Sequence, residues 1–295
     1  MANATVLTLL QDKSLLLTNK EKQLGSYILA NYKTVPFMRS RDLAKNAGVS
    51  ESTLMRFISN IGYPRFVDFQ KALQNEMRER ILSIESLEKY EVPEGIKRGA
   101  IFDVFSLEQS IIKETLEKID EEVFCKAVEL LYSKEYVVLL GSGGDEVLVN
   151  YASKFMRLFR DGIFDLSLDD DINLVQCMNL CNDENSVALA YSSPRYYKKS
   201  LTLASDLSNK NIKIIGVTDN VLSPLASLSD LLFITPMRYI TMVDPLCPMM
   251  AVTHALLTGL VEKNPEKARE RVAVYYGYTK RHDICVRADI AINIS

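Results

Sequence analysis

Residues 40–62, Ser40-Arg-Asp-Leu-Ala-Lys-Asn-Ala-Gly-Val-Ser-Glu-Ser-Thr-Leu-Met-Arg-Phe-Ile-Ser-Asn-Ile-Gly62, admit few folds. They read as two short helices joined by a tight turn. Ser40 is the expected N-cap of the first helix, which runs through Leu43, Ala44 and Ala47. Gly48 supplies the left-handed residue that ends it. Val49 plugs the corner. Ser50 or Glu51 starts the second helix, whose apolar face is Leu54, Phe57, Ile58 and Ile61, and Gly62 is the stop. Small Ala44 lets the two helices approach closely. The outward face is then Glu51, Ser52, Thr53, Met55, Arg56 and Ser59. Such side chains can hydrogen-bond to base edges and phosphates in a major groove. A helical hairpin inside any larger fold would share the bare pattern. The ordered apolar positions around the glycine turn favour DNA binding over it.

Charge supports that reading. Over residues 20–80 eleven Lys and Arg face six acids, while the whole chain carries −3. A basic module on an acidic body suits a phosphate backbone. At 295 residues there is room for two domains, and 47% hydrophobic with 25% charged residues is ordinary for a globular chain. No apolar run reaches the roughly 18 residues of a membrane span. The start, Met1-Ala-Asn-Ala-Thr-Val-Leu, lacks a basic leader and reads as a short helix rather than a signal peptide. Cys125, Cys177, Cys181, Cys247 and Cys285 are odd in number and form no C-x-x-C pair, which fits a reducing cytoplasm. Cys177 and Cys181 stand one helical turn apart; idle buried thiols are favoured over a metal site, and no cofactor is expected.

Residues 1–80 look all-helical. Leu24, Ile28 and Tyr32 share a face that should end before Pro36, and Phe66, Phe69 and Leu73 recur at helical spacing to close a small core. Pro93, Gly95 and Gly99 mark a linker within 81–100. Ile101, Val104, Phe105, Ile111, Ile112 and Leu116 form one helical face, and a further helix is expected over about 120–133. These helices are expected to pack on the second domain or on a partner subunit. From 136 the rhythm changes. Tyr136–Leu140, Ser186–Ala190, Ile212–Val217 and Leu231–Ile234 read as short buried strands, with Gly162–Asp165 a weaker fifth. Alternation with helices implies a five-stranded parallel sheet flanked by helices, with any ligand at the strand carboxyl ends. The expected division is 1–80 helical DNA-binding, 81–106 linker and start of a connecting helix, and 107–295 α/β.

Together these residues resemble the RpiR/MurR family of bacterial transcriptional regulators. The resemblance rests on Ala44-x-x-x-Gly48-Val49-Ser50, Thr53-x-x-Arg56-Phe57, Gly62-Tyr63 and Phe66-x-x-Phe69. Arg65 stands where that family usually has glycine. In the second half it rests on Gly141-x-Gly143 and Thr218-Asp-Asn-x-x-Ser223-Pro-Leu-Ala226. The resemblance implies an N-terminal helix-turn-helix and a C-terminal SIS (sugar isomerase) domain that dimerises and senses a phosphosugar. It implies DNA contacts from Ser50, Glu51, Ser52, Thr53 and Arg56, with Arg39, Arg41 and Lys45 meeting backbone phosphates. It also implies an effector site at Ser142, Gly143, Gly144, Asp145, Ser192, Ser193, Arg195 and Thr218.

The phosphate positions depart from the family. Asp145, Ala190 and Arg195 replace three hydroxyl donors, and Ser193 replaces a glycine. A carboxylate at Asp145 would repel phosphate, while Arg195 could bind it or pair with Asp145. Three readings stay open: a phosphosugar held through Arg195, a different and unphosphorylated or cationic molecule, or a site kept only for assembly. Blander roles exist too. Ser192 and Ser193 could cap the next helix, Asp145 and Arg195 could be a surface pair, and His254 reads as a core histidine. The Tyr275, Tyr276 and Tyr278 tail is expected to pack on a neighbouring subunit. The implied partners are an operator duplex, a sugar phosphate or related small molecule, and one or three further copies of the chain. A sugar-phosphate isomerase is disfavoured, since His254 and His282 are the only histidines and no pocket Glu offers a general base.

Overall fold

The computed structural model describes residues 6, 17–32, 34–74, 98–167, 170–240 and 243–284. The expected start helix lies almost wholly outside these residues, as do most of the linker and Cys285.

Helix α1 (Asn19–Ala30) is opened by Thr18, whose hydroxyl accepts from the Glu21 N–H while the Glu21 carboxylate accepts from the Thr18 N–H. This reciprocal capping box satisfies two otherwise orphaned donors. Helix α2 is Ser40–Asn46 and α3 is Glu51–Asn60. Arg39, in an extended conformation, is the cap of α2, so Ser40 is its first helical residue and not the expected cap. Gly48 joins α2 to α3 with φ +69°, as a left-handed turn requires. Ser50 caps α3, its Oγ accepting from the Thr53 N–H at 3.2 Å. Backbone 66–74 forms α4. Leu24, Ile28, Leu43, Leu54, Phe57, Ile58, Ile61 and Phe69 are fully buried in one cluster. Tyr63 and Phe66 lean on Phe69, with ring centroids 5.8 and 6.1 Å away, so these aromatics close the core as expected. Each fully buried large apolar side chain contributes about 1.5–3 kcal/mol of transfer free energy. Leu222, from the second half of the chain, belongs to this same cluster.

Helix α5 (Arg98–Lys118) runs unbroken through residues 106 and 107, and Asp120 caps α6 (Glu121–Ser133). On α5 only Ile111 of the predicted apolar face is buried; Ile101, Val104, Phe105, Ile112 and Leu116 are exposed. The second half continues as β1 (Tyr136–Leu140), α7 (Glu146–Phe159), β2 (Ile163–Asp165), α8 (Asp171–Leu180), β3 (Ser186–Ser192), α9 (Lys198–Asn209), β4 (Lys213–Thr218), β5 (Leu231–Ile234), α10 (Cys247–Lys263) and α11 (Pro265–Arg281). The five strands are parallel, in the order β2-β1-β3-β4-β5.

Strand period sorts the core. Val137, Leu139, Val187, Leu189, Ile215 and Val217 face α6, α7 and α10. Val138, Leu140, Ala188, Ala190 and Ile214 face α8 and α9. Burial on both faces explains why these strands read as continuous apolar runs. Cys177 and Cys181 are buried with Sγ atoms 3.7 Å apart. His254 is exposed on α10, against the expectation of a core histidine. Among the described residues no helix is long and apolar enough to cross a membrane, and no cluster of His, Cys, Asp or Glu is arranged to hold a metal.

Candidate functional site

Two sites emerge, one on each half. On the helical half, α3 buries Leu54, Phe57 and Ile58 and leaves Glu51, Ser52, Met55, Arg56 and Ser59 exposed. Thr53 is half-buried. Ser50 is exposed, but its hydroxyl is shared between the Thr53 N–H and the side chains of Ser52 and Thr53, at 2.9 and 2.8 Å. Arg39, Arg41 and Lys45 are exposed on and before α2. Arg56 is 64% exposed, and its Nε lies 3.8 Å from Glu21 Oε1. Burial pushes the Glu21 carboxyl up, but hydrogen bonds from Thr18 and Asn60 and the charge of Arg56 outweigh it and leave the pKa lowered. An ionised Glu21 therefore anchors the base of Arg56 while its outer edge faces solvent. Arg65, in place of the family glycine, forms a bidentate pair with Asp68 at 2.8 Å.

On the α/β half, β1, β3 and β4 end together. Their register pairs Leu140 with Ala190 and Ser192 with Thr218. Beyond β1, Gly143 takes φ +64°, and its N–H donates to Glu146 Oε1 at 2.9 Å. A Cβ on Gly143 would stand 2.2 Å from Cζ of Tyr197, and one on Gly144 would stand 2.7 Å from Oδ2 of Asp244. The β1 loop is therefore walled by a tyrosine ring and a carboxylate.

Asp145 is 1% exposed, and its Oδ2 accepts the Ser193 N–H at 3.0 Å. Burial raises its pKa from 3.8 to about 6; the Ser193 hydrogen bonds oppose that rise, while nearby Asp244 and Asp219 add to it. Arg195 makes its ion pair with Asp244, at 3.3 Å. Asp145 is thus a buried anion and not half of a surface pair. Ser192 lies within β3 and Ser193 in the following loop; α9 is capped by Tyr197, so neither serine caps it. Thr218 is buried and spends its hydroxyl on the Ser192 carbonyl at 2.6 Å.

Four buried side-chain oxygens here have no hydrogen-bond partner: Ser142 Oγ, Asp145 Oδ1, Ser192 Oγ and Asp244 Oδ1. Unpaired buried polar atoms are costly, so such a group points to a missing partner. Sequence reasoning did not find Asp244, Tyr196, Tyr197 or Asp219. Tyr196 donates its hydroxyl to Asp219 at 2.9 Å, and Asn220 Nδ2 also donates to Asp219. Burial raises the Asp219 pKa against these bonds. Asp219 lay within the quoted Thr218-Asp-Asn segment, whereas Asp244 sits in an irregular stretch with no periodic signal.

Comparison with known proteins agrees with both halves. Residues 4–80 match the family described as "Helix-turn-helix domain, rpiR family", and residues 130–259 match "SIS domain". An HTH-type transcriptional regulator of Clostridium perfringens is 25% identical over 232 residues, covering 76% of this chain and 79% of the relative. The Escherichia coli regulator YfhH is 26% identical over 224 residues, covering 72% and 75%. Among solved structures, the Vibrio vulnificus NanR protein complexed with ManNAc-6P matches with TM-score 0.56 at 19% identity, covering 96% of this chain and all of that one. The sugar isomerase domain of an RpiR transcription factor from Sphaerobacter thermophilus matches with TM-score 0.54 at 18% identity, over 59% of this chain and 96% of that one. With a DNA-binding helix pair ahead of a parallel α/β domain, and both matched in that order, the chain belongs to the RpiR family of helix-turn-helix transcriptional regulators.

Proposed function

We propose that the chain regulates transcription by laying α3 in the major groove of an operator, under control of a sugar-derived small molecule bound at the carboxyl ends of β1 and β3. The observation that carries the DNA half is the sorting of α3: Leu54, Phe57 and Ile58 are fully buried, while Ser52 and Arg56 are exposed beside exposed Arg39, Arg41 and Lys45. Arg56 reads a base edge; Glu51, Ser52 and Thr53 line the same face; Arg39, Arg41 and Lys45 meet phosphates. Ser50 shapes the helix start and reaches the backbone only through its exposed hydroxyl. The division into 1–80, 81–106 and 107–295 accompanies this reading, as does a cytoplasmic location.

The exposed apolar residues of α5, among them Phe102 and Phe105, and those of α11, Val274 and Tyr278, support assembly into a dimer or tetramer. A two-fold dimer demands a near-palindromic operator. The effector class is supported by the four unpartnered oxygens and by the NanR protein, of similar fold and complexed with ManNAc-6P. No residue is assigned a catalytic role, although the SIS fold is also that of isomerases. Selection from a random duplex library tests the reading: enrichment of a near-palindrome supports it, and no enrichment removes it. Turnover of sugar phosphates by the purified chain would favour an isomerase instead.

A further inference from the structure

We propose that the cluster of unpartnered oxygens at the β1 and β3 loops takes an amine-bearing sugar or polyol, its ammonium held by Asp145 and Asp244 and its hydroxyls by Ser142 and Ser192, and that it turns phosphate esters away. The inference rests on the effector site proposed above and gives its ligand a chemical class.

The argument is one of donors and charge. An ionised carboxylate only accepts hydrogen bonds. Asp145 Oδ1 and Asp244 Oδ1 are buried and empty-handed, so whatever completes them must donate. A phosphate ester brings acceptor oxygens and negative charge. An ammonium brings three donors and a positive charge. The hydroxyls of Ser142 and Ser192, equally buried and unpartnered, can donate or accept and so suit sugar hydroxyls.

Charge gives the same answer. Asp219 and Asp244 both lie close enough to Asp145 for their charges to disfavour its ionisation, and Arg195 is already engaged by Asp244. No cation among the described residues pairs with Asp145, and a buried uncompensated carboxylate is unfavourable until a cation joins it.

The backbone completes the case. Anions are normally received by N–H groups between a strand end and the next helix. Here the Ser193 N–H, at that position after β3, is already given to Asp145 Oδ2 at 3.0 Å. The adjacent residue is Pro194, which has no N–H to offer. The loop that would cradle a phosphate holds an internal carboxylate in its place.

Thermal unfolding of the full chain tests this against D-glucosamine, D-mannosamine, their N-acetyl derivatives, the parent sugars, and the 6-phosphate esters of each. The expected result is a saturable rise in Tm with an amine sugar, lost on N-acetylation. Asp145→Asn and Asp244→Asn should each weaken that ligand by about tenfold or more, as removal of one partner from a buried charge pair does. Asp145→Ser removes the carboxylate and frees the Ser193 N–H, so it should lose the amine response and gain one to a phosphate ester. That gain cannot arise from misfolding. A wild-type response confined to phosphate esters overturns the proposal, as does silence across the panel or an amine response unchanged in both Asn variants. Operator selection is independent of these outcomes: the ligand class can fail while DNA binding stands, and absence of DNA binding strikes the regulator reading alone.

Discussion

Cδ1 of Leu222 lies 2.9 Å from the point a Cβ on Gly25 would occupy. Gly25 is in α1 of the helical half, and Leu222 is in the loop after β4. Leu222 is fully buried, and its N–H donates to Asn220 Oδ1 at 2.8 Å. Leu222→Ala should cost about 2–5 kcal/mol, the range for truncating a buried leucine. Denaturant unfolding followed by far-UV dichroism measures it. A loss below half a kilocalorie would mean that Leu222 does not join the two halves.

The same loop reaches the candidate effector site. Tyr196 holds Asp219, Asn220 holds Leu222, and Tyr196 adjoins Arg195. Tyr196→Phe should leave the helical half folded but reduce the effect of a bound ligand on DNA affinity. The measurement is DNA affinity with and without saturating ligand; an unchanged ratio rejects this route. A ligand shifts DNA binding only through its differential affinity for two arrangements, and the loop is a physical element able to carry that difference.

Arg56→Ala should weaken operator binding by about 1–3 kcal/mol and relax preference at one base pair. Ser50→Ala should instead act on stability, by about 0.5–2 kcal/mol, because its hydroxyl caps α3. Fluorescence anisotropy on a selected duplex, beside thermal melts of each variant, separates the two. Equal effects of both substitutions on melting would contradict the division.

Asp145 predicts a pH dependence with a definite sign. Its folded pKa, about 6, lies above the ordinary 3.8 because burial disfavours the carboxylate and Asp244 and Asp219 add to that. The protonated form is therefore the better tolerated in the fold. The stabilisation is fully present below pH 3.8 and is lost as pH rises through 6. Its size is on the order of 2–3 kcal/mol. Asp145→Asn should remove this component, seen as a smaller fall in stability between pH 4 and 7 than in the wild type, to be read from urea titrations at about five pH values. An identical slope in the variant would show that Asp145 titrates normally.

Gly143→Ala combines a left-handed φ of +64° with a Cβ 2.2 Å from the Tyr197 ring. It should destabilise the α/β half by more than about 1 kcal/mol. Gly143→Ala with Tyr197→Ala should recover only the steric part. Full recovery in the double variant would show that the backbone conformation costs nothing.

The architecture was legible where local chemistry dictates it. The apolar rhythm around Gly48 marked Leu54, Phe57, Ile58 and Ile61 as core, and all four are fully buried. The strand runs were legible because burial on both faces makes them continuously apolar. His254 was misplaced because α10 is apolar over most of its turns, so periodicity could not say which side meets the sheet. Ser40 was misassigned as a cap because the chain enters α2 through an extended Arg39, a choice of backbone rather than of side chain. The effector site was half legible. Asp145 and Arg195 stood out as departures from a pattern, but their partners, Ser193 and Asp244, are set by tertiary packing across separate loops.

The Ser193–Asp145 hydrogen bond has a consequence for how such a sensor changes its taste. A carboxylate fixed by its own chain acts as a tethered competitor, present at an effective concentration that a dissolved anion must outbid. Removing one side chain would vacate that seat without rebuilding the loop around it. Specificity in this half of the molecule therefore hangs on whether the resident anion is covalently part of the chain or arrives from solution.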